Sequence, residues 1–328
     1  MWQVIGHTWA VDLLRRSLAG GRLAHAYLIT GPEHIGKTHL ALEFAAALVC
    51  EGDDAPCHRC VACGQVAQGQ HPDVLQVEPD GSHFKIDQVR GLQYDLALSP
   101  REAKRRVCIL TNFERATTEA ANALLKTLEE PPPHVVLIVT ATDASLLLPT
   151  IVSRCQLLAL RIVPRPLIEE ALLERTEDAA LARLLSSLAG GRVGWALEAL
   201  VQPDLLQQRQ EDIRRLWHLL SADRAQRLES AEELAKRQNI GELLAVWQVW
   251  WRDVVLLHGG CEELVVNQDL RRELGLVAAA CTAEQSGAAL RYIARMPEQL
   301  EHNVNARLAL EALLLSWPRV SIKGEETV

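Results

Sequence analysis

Short apolar runs alternate with amphipathic stretches over roughly the first 160 positions, and beyond them the alternation stops. Ala26–Thr30, Asp73–Val77, Val107–Thr111 and Val135–Thr140 are compact apolar runs, which predict strands buried on both faces of a parallel sheet. Between them, Trp9–Ala19, Thr38–Val49, Asp87–Leu98 and Thr118–Leu128 carry apolar residues at helical spacing. The last helix is expected to stop where Glu130 meets Pro131-Pro132-Pro133, because a residue before proline is pushed out of the helical region. Strand and helix in turn predict an α/β domain with a parallel sheet over residues 1–160.

After Leu160 no strand signal is read, and everything predicts helix. Pro164 and Pro166 mark a boundary. Residues 161–204 predict a small three-helix unit, running through about Val201 and broken at Gly190-Gly191. Pro203 marks a second boundary, and residues 205–322 predict an all-α domain with helices at Ile213–Leu220, Glu229–Arg237, Gly241–Leu257 and Glu298–Trp317. Trp247, Trp250 and Trp251 fall on one helical face, a stripe expected to be core, with an interface as the second reading. A polar tail over residues 323–328 is expected to be disordered.

A chain of 328 residues is too large for one simple core, which agrees with two or three domains. Its 48% hydrophobic and 23% charged residues are ordinary for a globular protein, and no apolar run reaches membrane-spanning length, so a soluble, cytoplasmic protein is expected. The net charge of −8 argues against a protein that grips nucleic acid by itself through a basic surface. Lys104-Arg105-Arg106 is read as solvated residues ahead of a buried strand.

Chemistry concentrates between the first two elements. Gly31-Pro32-Glu33-His34-Ile35-Gly36-Lys37-Thr38 follows the first strand and opens a helix, the pattern of a phosphate-binding P-loop. Unpaired N–H groups at a helix N-terminus face an anion, Lys37 adds a mobile charge, and Thr38 offers its hydroxyl to magnesium. Gly31, Gly36, Lys37 and Thr38 are therefore the candidate contacts for ATP or ADP.

Cys50, Cys57, Cys60 and Cys63 end that same helix, with six, two and two residues between them. Spacings of two let thiolates converge on one tetrahedral ion, and a closed all-cysteine set points first to structural zinc. An iron–sulfur cluster is the runner-up, since Cys-x-x-Cys-x-x-Cys also serves ferredoxins. Disulfides rank lower, because no secretory signal is read and a cytosolic thiol pool keeps cysteines reduced. His58 and His71 lie near and are expected to be solvated rather than ligands.

Hydrolysis needs a carboxylate at the end of the third strand for magnesium, and a neighbouring group to orient water. Thr111 and Asn112 stand there instead. Glu114 lies two residues further on and would substitute only if the loop folded back. The expected outcome is a phosphate cradle with a damaged catalytic half.

The stretch Asn122-Ala123-Leu124-Leu125-Lys126-Thr127-Leu128-Glu129-Glu130-Pro131-Pro132 resembles the signature of bacterial clamp loader subunits. Ser153-Arg154-Cys155 and the cysteine knuckle behind the P-loop helix resemble it too, as does Asn303-Val304-Asn305-Ala306-Arg307-Leu308-Ala309-Leu310-Glu311 near the end. The resemblance implies a P-loop domain of the AAA+ type with a parallel sheet, then a small helical lid (161–204) and an α-helical collar (205–322) that assembles the complex. It also implies a place in the DNA polymerase III holoenzyme, a nucleotidyltransferase complex. There the implied partners are τ/γ ATPase and δ subunits in a hetero-pentamer, acting on a sliding clamp and primed DNA in the cytoplasm, at the nucleoid through the replisome.

That family holds an ATPase motor, τ/γ, and a non-motor relative, δ′. Three departures point to the δ′ branch: Thr111 and Asn112 in place of acids, Gly194 where τ/γ-like chains carry a nucleotide-contacting arginine, and no long extension after the collar. The intact P-loop points the other way and keeps open an autonomous τ/γ-type ATPase. A stand-alone zinc-containing P-loop regulator is the third alternative. The resemblance further implies that Arg154 acts in trans, reaching the ATP site of a neighbouring subunit. The plainer alternative is an arginine held in an intramolecular salt bridge at a helix end. Cys155 is expected to be a buried apolar residue and Ser153 a turn cap.

Overall fold

The computed structural model describes residues 2–237, 240–301 and 305–320. The chain divides into two compact units, Met1–Arg175 with Gly191–Trp195, and Thr176–Gly190 with Ala196–Val328. Residues 161–175 and 191–195 thus group with the first unit, and 176–190 and 196–204 with the second.

The first unit runs α1 (Thr8–Ala19), β1 (Ala26–Thr30), α2 (Lys37–Val49), α3 (Val61–Ala67), β2 (Val74–Val77), α4 (Ile86–Ala97), β3 (Arg106–Leu110), α5 (Thr118–Glu129), β4 (Val135–Ala141), α6 (Pro149–Val152), β5 (Gln156–Ala159) and α7 (Arg165–Leu173). The described strands form one parallel sheet in the order β2-β3-β4-β1-β5. Alternation along the strands sorts the core into two layers. Tyr27, Ile29, Val107, Ile109, Val136 and Ile138 face α2 through Leu40, Ala41 and Phe44. Leu28, Cys108, Leu110, Leu137 and Val139 face the other side, where Leu92 and Leu96 of α4 and Leu124 and Leu128 of α5 cover them. Because both faces are covered, β1, β3 and β4 are buried throughout.

The four expected strands are present. The pattern gave no sign of β5, which is short, lies at the sheet edge beside β1, and fully buries only Leu158. Arg106, read as solvated, is instead buried in β3, where its Nε lies 3.7 Å from the equally buried Asp73 carboxylate. Asp73 also accepts N–H groups from Arg101, Glu102 and Ala103 at 2.8, 2.8 and 2.9 Å, so the acid ties the loop before β3 to the loop before β2.

The second unit is helical. It contains α8 (Ala179–Leu188), the later part of α9 (Val193–Val201), α10 (Asp204–Ser221), α11 (Arg224–Leu234), α12 (Ile240–His258), α13 (Arg271–Ala280), α14 (Ala283–Glu301) and α15 (Ala306–Ser316). Trp247, Trp250 and Trp251 are fully buried, and Trp317 meets Trp247 and Trp251 edge-on at 5.1 and 5.6 Å. The tryptophan stripe is core. Arg227 bonds the carbonyls of Leu219, Leu220, Leu314, Trp317 and Pro318, satisfying helix-end acceptors that burial would otherwise strand.

The single helix expected over Glu298–Trp317 is two elements. Asn305 accepts N–H groups from Arg307 and Leu308 and starts α15 as a new helix. Residues 302–304 and the polar tail 323–328 lie outside the described residues. Among the described residues no helix is long and apolar enough to cross a membrane.

Candidate functional site

The chain leaves β1 at Thr30 and turns at Gly31, whose φ of 148° and approach to the Leu160 carbonyl suit glycine alone: a Cβ there would stand 2.9 Å from that oxygen. Gly36, at φ 101°, hands the chain into α2, whose N-terminus no side chain caps. Its first N–H groups are therefore free to serve an anion. Lys37 is buried at 6% exposure, and its ammonium donates to the carbonyls of Gly31 at 2.7 Å and Pro32 at 2.9 Å. Burial lowers the Lys37 pKa, while the carboxylates of Glu114 and Glu33 act to hold its charge. Thr38 is half-buried beside it.

Beyond β3, Thr111 is buried, with its hydroxyl 3.5 Å from the Val77 carbonyl. Asn112 adopts the left-handed conformation (φ 53°, ψ 47°), and its N–H donates to Thr140 Oγ1 at 3.1 Å. A 3₁₀ turn, Phe113–Arg115, follows at once, closed by Arg115 N–H on the Asn112 carbonyl and anchored by Phe113 packing on Phe84. Glu114 is the middle residue of this turn, and its carboxylate acts on the Lys37 charge. Opposite, the Gly194 N–H donates to the His34 carbonyl at 2.7 Å, and a Cβ at Gly194 would stand 2.7 Å from that oxygen. The place where τ/γ-like chains carry arginine is closed to any side chain in this arrangement.

The four cysteines come together: their sulfurs all lie within 4.8 Å of one another. Cys50 follows α2 directly and Cys60 caps α3, so two helix ends aim the cluster. Gly52 and Cys57 N–H groups point at the Cys50 sulfur, the Cys60 N–H at Cys57, and the Cys63 N–H at Cys60, each at 3.4 Å. Such donors favour thiolate over thiol. N–H groups of Arg59 and Cys60 bring Cys57 down to about 6, whereas burial pushes Cys63 up to about 12. None of the four is joined in a disulfide. Four soft donors at this separation suit one ion with metal–sulfur bonds of about 2.3 Å.

Neither neighbouring histidine is solvated as expected. His71 is buried at 4% exposure, and its Nδ1 accepts the Asp73 N–H. His58 is half-buried, with Nε2 3.4 Å from a carboxylate oxygen of the buried Glu43. Neither belongs to the sulfur cluster.

Arg154 sits in the turn between α6 and β5. Its Nη1 donates to the Thr150 carbonyl at 2.9 Å, and its Nη2 meets Glu129 Oε1 at 2.9 Å, so the intramolecular salt bridge is present. The side chain nonetheless keeps 35% exposure. Glu129, the last residue of α5, went unnoticed as a site residue, although it lies inside the signature stretch ending at Pro132. The Ser153 hydroxyl donates to the Thr150 carbonyl, as a turn cap does, and Cys155 is half-buried with its thiol pushed up to about 11 by burial.

A parallel sheet with a P-loop between β1 and α2 defines a P-loop α/β domain, followed here by a helical C-terminal region. Residues 6–164 match the family described as "DNA polymerase III, delta subunit", and residues 203–319 match "DNA polymerase III, delta subunit, C terminal". The chain belongs to the bacterial DNA polymerase III clamp loader family, on its delta' branch. It is 29% identical to DNA polymerase III subunit delta' of Bacillus subtilis, over 93% of this chain and 94% of that one. It is 43% identical to the delta' subunit of Pseudomonas aeruginosa over 42% of this chain and 44% of that one. Subunit tau of B. subtilis is 36% identical over 47% of this chain and only 27% of its own length. Among solved structures, a gamma subunit-related protein of Thermotoga maritima covers 95% of this chain at 22% identity and a TM-score of 0.49, a loose likeness.

Proposed function

We propose that the chain serves as a non-motor assembly subunit of the clamp loader, with no ATP turnover of its own, and supplies Arg154 to the ATP site of a neighbouring τ/γ-type subunit. The observation that carries the non-motor half is the end of β3: Thr111 is engaged with Val77, and Asn112, which has no basic group, spends its N–H on Thr140. Neither can orient an attacking water as an acid does. In this reading the complex is a hetero-pentamer with τ/γ and δ subunits, which loads the sliding clamp onto primed DNA in the cytoplasm. Residues 161–204 act as the lid and 205–322 as the collar. Zinc held by Cys50, Cys57, Cys60 and Cys63 stiffens the end of α2, and Gly31, Gly36, Lys37 and Thr38 form the nucleotide cradle.

The deciding experiment is single-turnover ATP hydrolysis by the reconstituted complex, with and without Arg154→Ala, beside steady-state turnover by this chain alone. A loss at one neighbouring site and no turnover by the free chain support the proposal. Turnover by the free chain that Lys37→Ala abolishes supports the motor reading, which the intact P-loop favours.

A further inference from the structure

We propose that Glu114, rather than a residue at the end of β3, supplies the acid of a magnesium–nucleotide site in the P-loop. The proposal rests on reading that loop as a phosphate site and adds its missing carboxylate.

The geometry begins at Asn112. Its left-handed conformation follows immediately on the buried Thr111, and the 3₁₀ turn that comes next carries Glu114 at its middle. Phe113 locks the turn from below through its buried contact with Phe84. One carboxylate oxygen of Glu114, Oε2, is buried and has no hydrogen-bond partner. A buried carboxylate oxygen without a partner is costly, so such atoms mark sites that await a cation, a donor or a water. Lys37 argues where that carboxylate belongs: of the two acids that act on its charge, Glu114 comes ahead of Glu33. The half-buried Arg192, on which Glu33 also acts, completes the charged groups around the loop.

Magnesium suits this arrangement. It is bound through one or two carboxylates plus phosphate oxygens and keeps several waters, so one acid beside a P-loop is enough. Thr38 would offer its hydroxyl to the ion, and Lys37 would leave the Gly31 and Pro32 carbonyls for phosphate. Glu114 is offered as a metal partner, not as a catalytic base. The site then binds nucleotide with magnesium while the missing water-orienting group leaves it slow, which explains how an intact P-loop and a damaged strand end coexist.

The test uses the full chain and a fluorescent ADP analogue, titrated with magnesium and again with EDTA. Wild-type protein is expected to bind ADP in both, and magnesium to tighten binding about tenfold or more. Glu114→Gln keeps the shape of the side chain and is expected to bind as wild type does in EDTA, yet to lose the magnesium enhancement. Glu114→Asp, which keeps the charge on a shorter arm, should recover part of it and guards against a folding defect in the first variant. Full enhancement in Glu114→Gln, or none in wild type, overturns the proposal while leaving the phosphate site standing. No ADP binding by wild type under either condition overturns the phosphate reading itself.

Discussion

The guanidinium of Arg154 and the carboxylate of Glu129 pair at 2.9 Å, joining the turn after α6 to the last residue of α5. The Thr150 carbonyl holds the same guanidinium from the other side. A third, longer contact runs from the same Nη1 to the Ser153 hydroxyl oxygen at 3.5 Å, so the two terminal nitrogens carry all three contacts of the five-donor guanidinium. An exposed pair of this kind contributes about 0.2–1 kcal/mol, enough to bias a flexible side chain without trapping it. Anchoring also removes part of the rotamer entropy that an arginine loses when it engages a phosphate.

Arg154→Ala in the reconstituted complex is expected to leave this subunit folded and the complex assembled. Hydrolysis at one neighbouring site should fall by about a hundredfold or more, since removing a charge-stabilising group from a prepared pocket has that effect. Glu129→Gln should slow the same site only a few-fold, in keeping with a pair worth about 1 kcal/mol or less. Single-turnover rates at each site distinguish the two. Equal rates for wild type and Arg154→Ala would make the salt bridge a structural feature.

Elemental analysis is expected to find one zinc per chain. Serine at Cys63 should abolish retention and lower the melting temperature, because binding energy at a structural site is folding energy. Metal uptake should weaken as pH falls, since Cys50 and Cys63 both sit above the usual thiol range and must lose protons to bind. Iron with a visible absorbance band would replace zinc with a cluster.

Purified chain should turn over ATP no faster than the Lys37→Ala variant does. The physical reason is the pair Thr111 and Asn112, together with a Gly194 position that has no room for a side chain. A steady rate well above that of Lys37→Ala refutes this.

Asp73 sets an acid limit on the first unit. Burial pushes its pKa up, but the N–H groups of Ala103, Glu102 and Arg101 and the charge of Arg106 outweigh burial and hold it below the usual range. A lowered folded value means its stabilisation is complete above the unfolded pKa, about 3.9, and is lost as pH falls through the folded value. Asp73→Asn should therefore cost about 2 kcal/mol at pH 7, with the gap to wild type narrowing below about pH 4. Urea unfolding at pH 7 and pH 3 measures both.

Local pattern was enough for the buried strands β1, β3 and β4, because a strand covered on both faces shows a run of mainly apolar residues. The P-loop and the cysteines were legible for a similar reason: their chemistry is set by near neighbours in the chain. Edge strand β5 was not legible, since half of its residues face solvent and its partner lies far away in sequence. Nor was the separate start of α15, which the Asn305 cap sets inside a stretch read as one helix. Tertiary structure alone decided which charges meet. Arg106 finds Asp73, and Arg154 finds Glu129. Periodicity reports which face of an element is buried, but a pairing between distant side chains depends on how the elements pack, and no short window of sequence contains that.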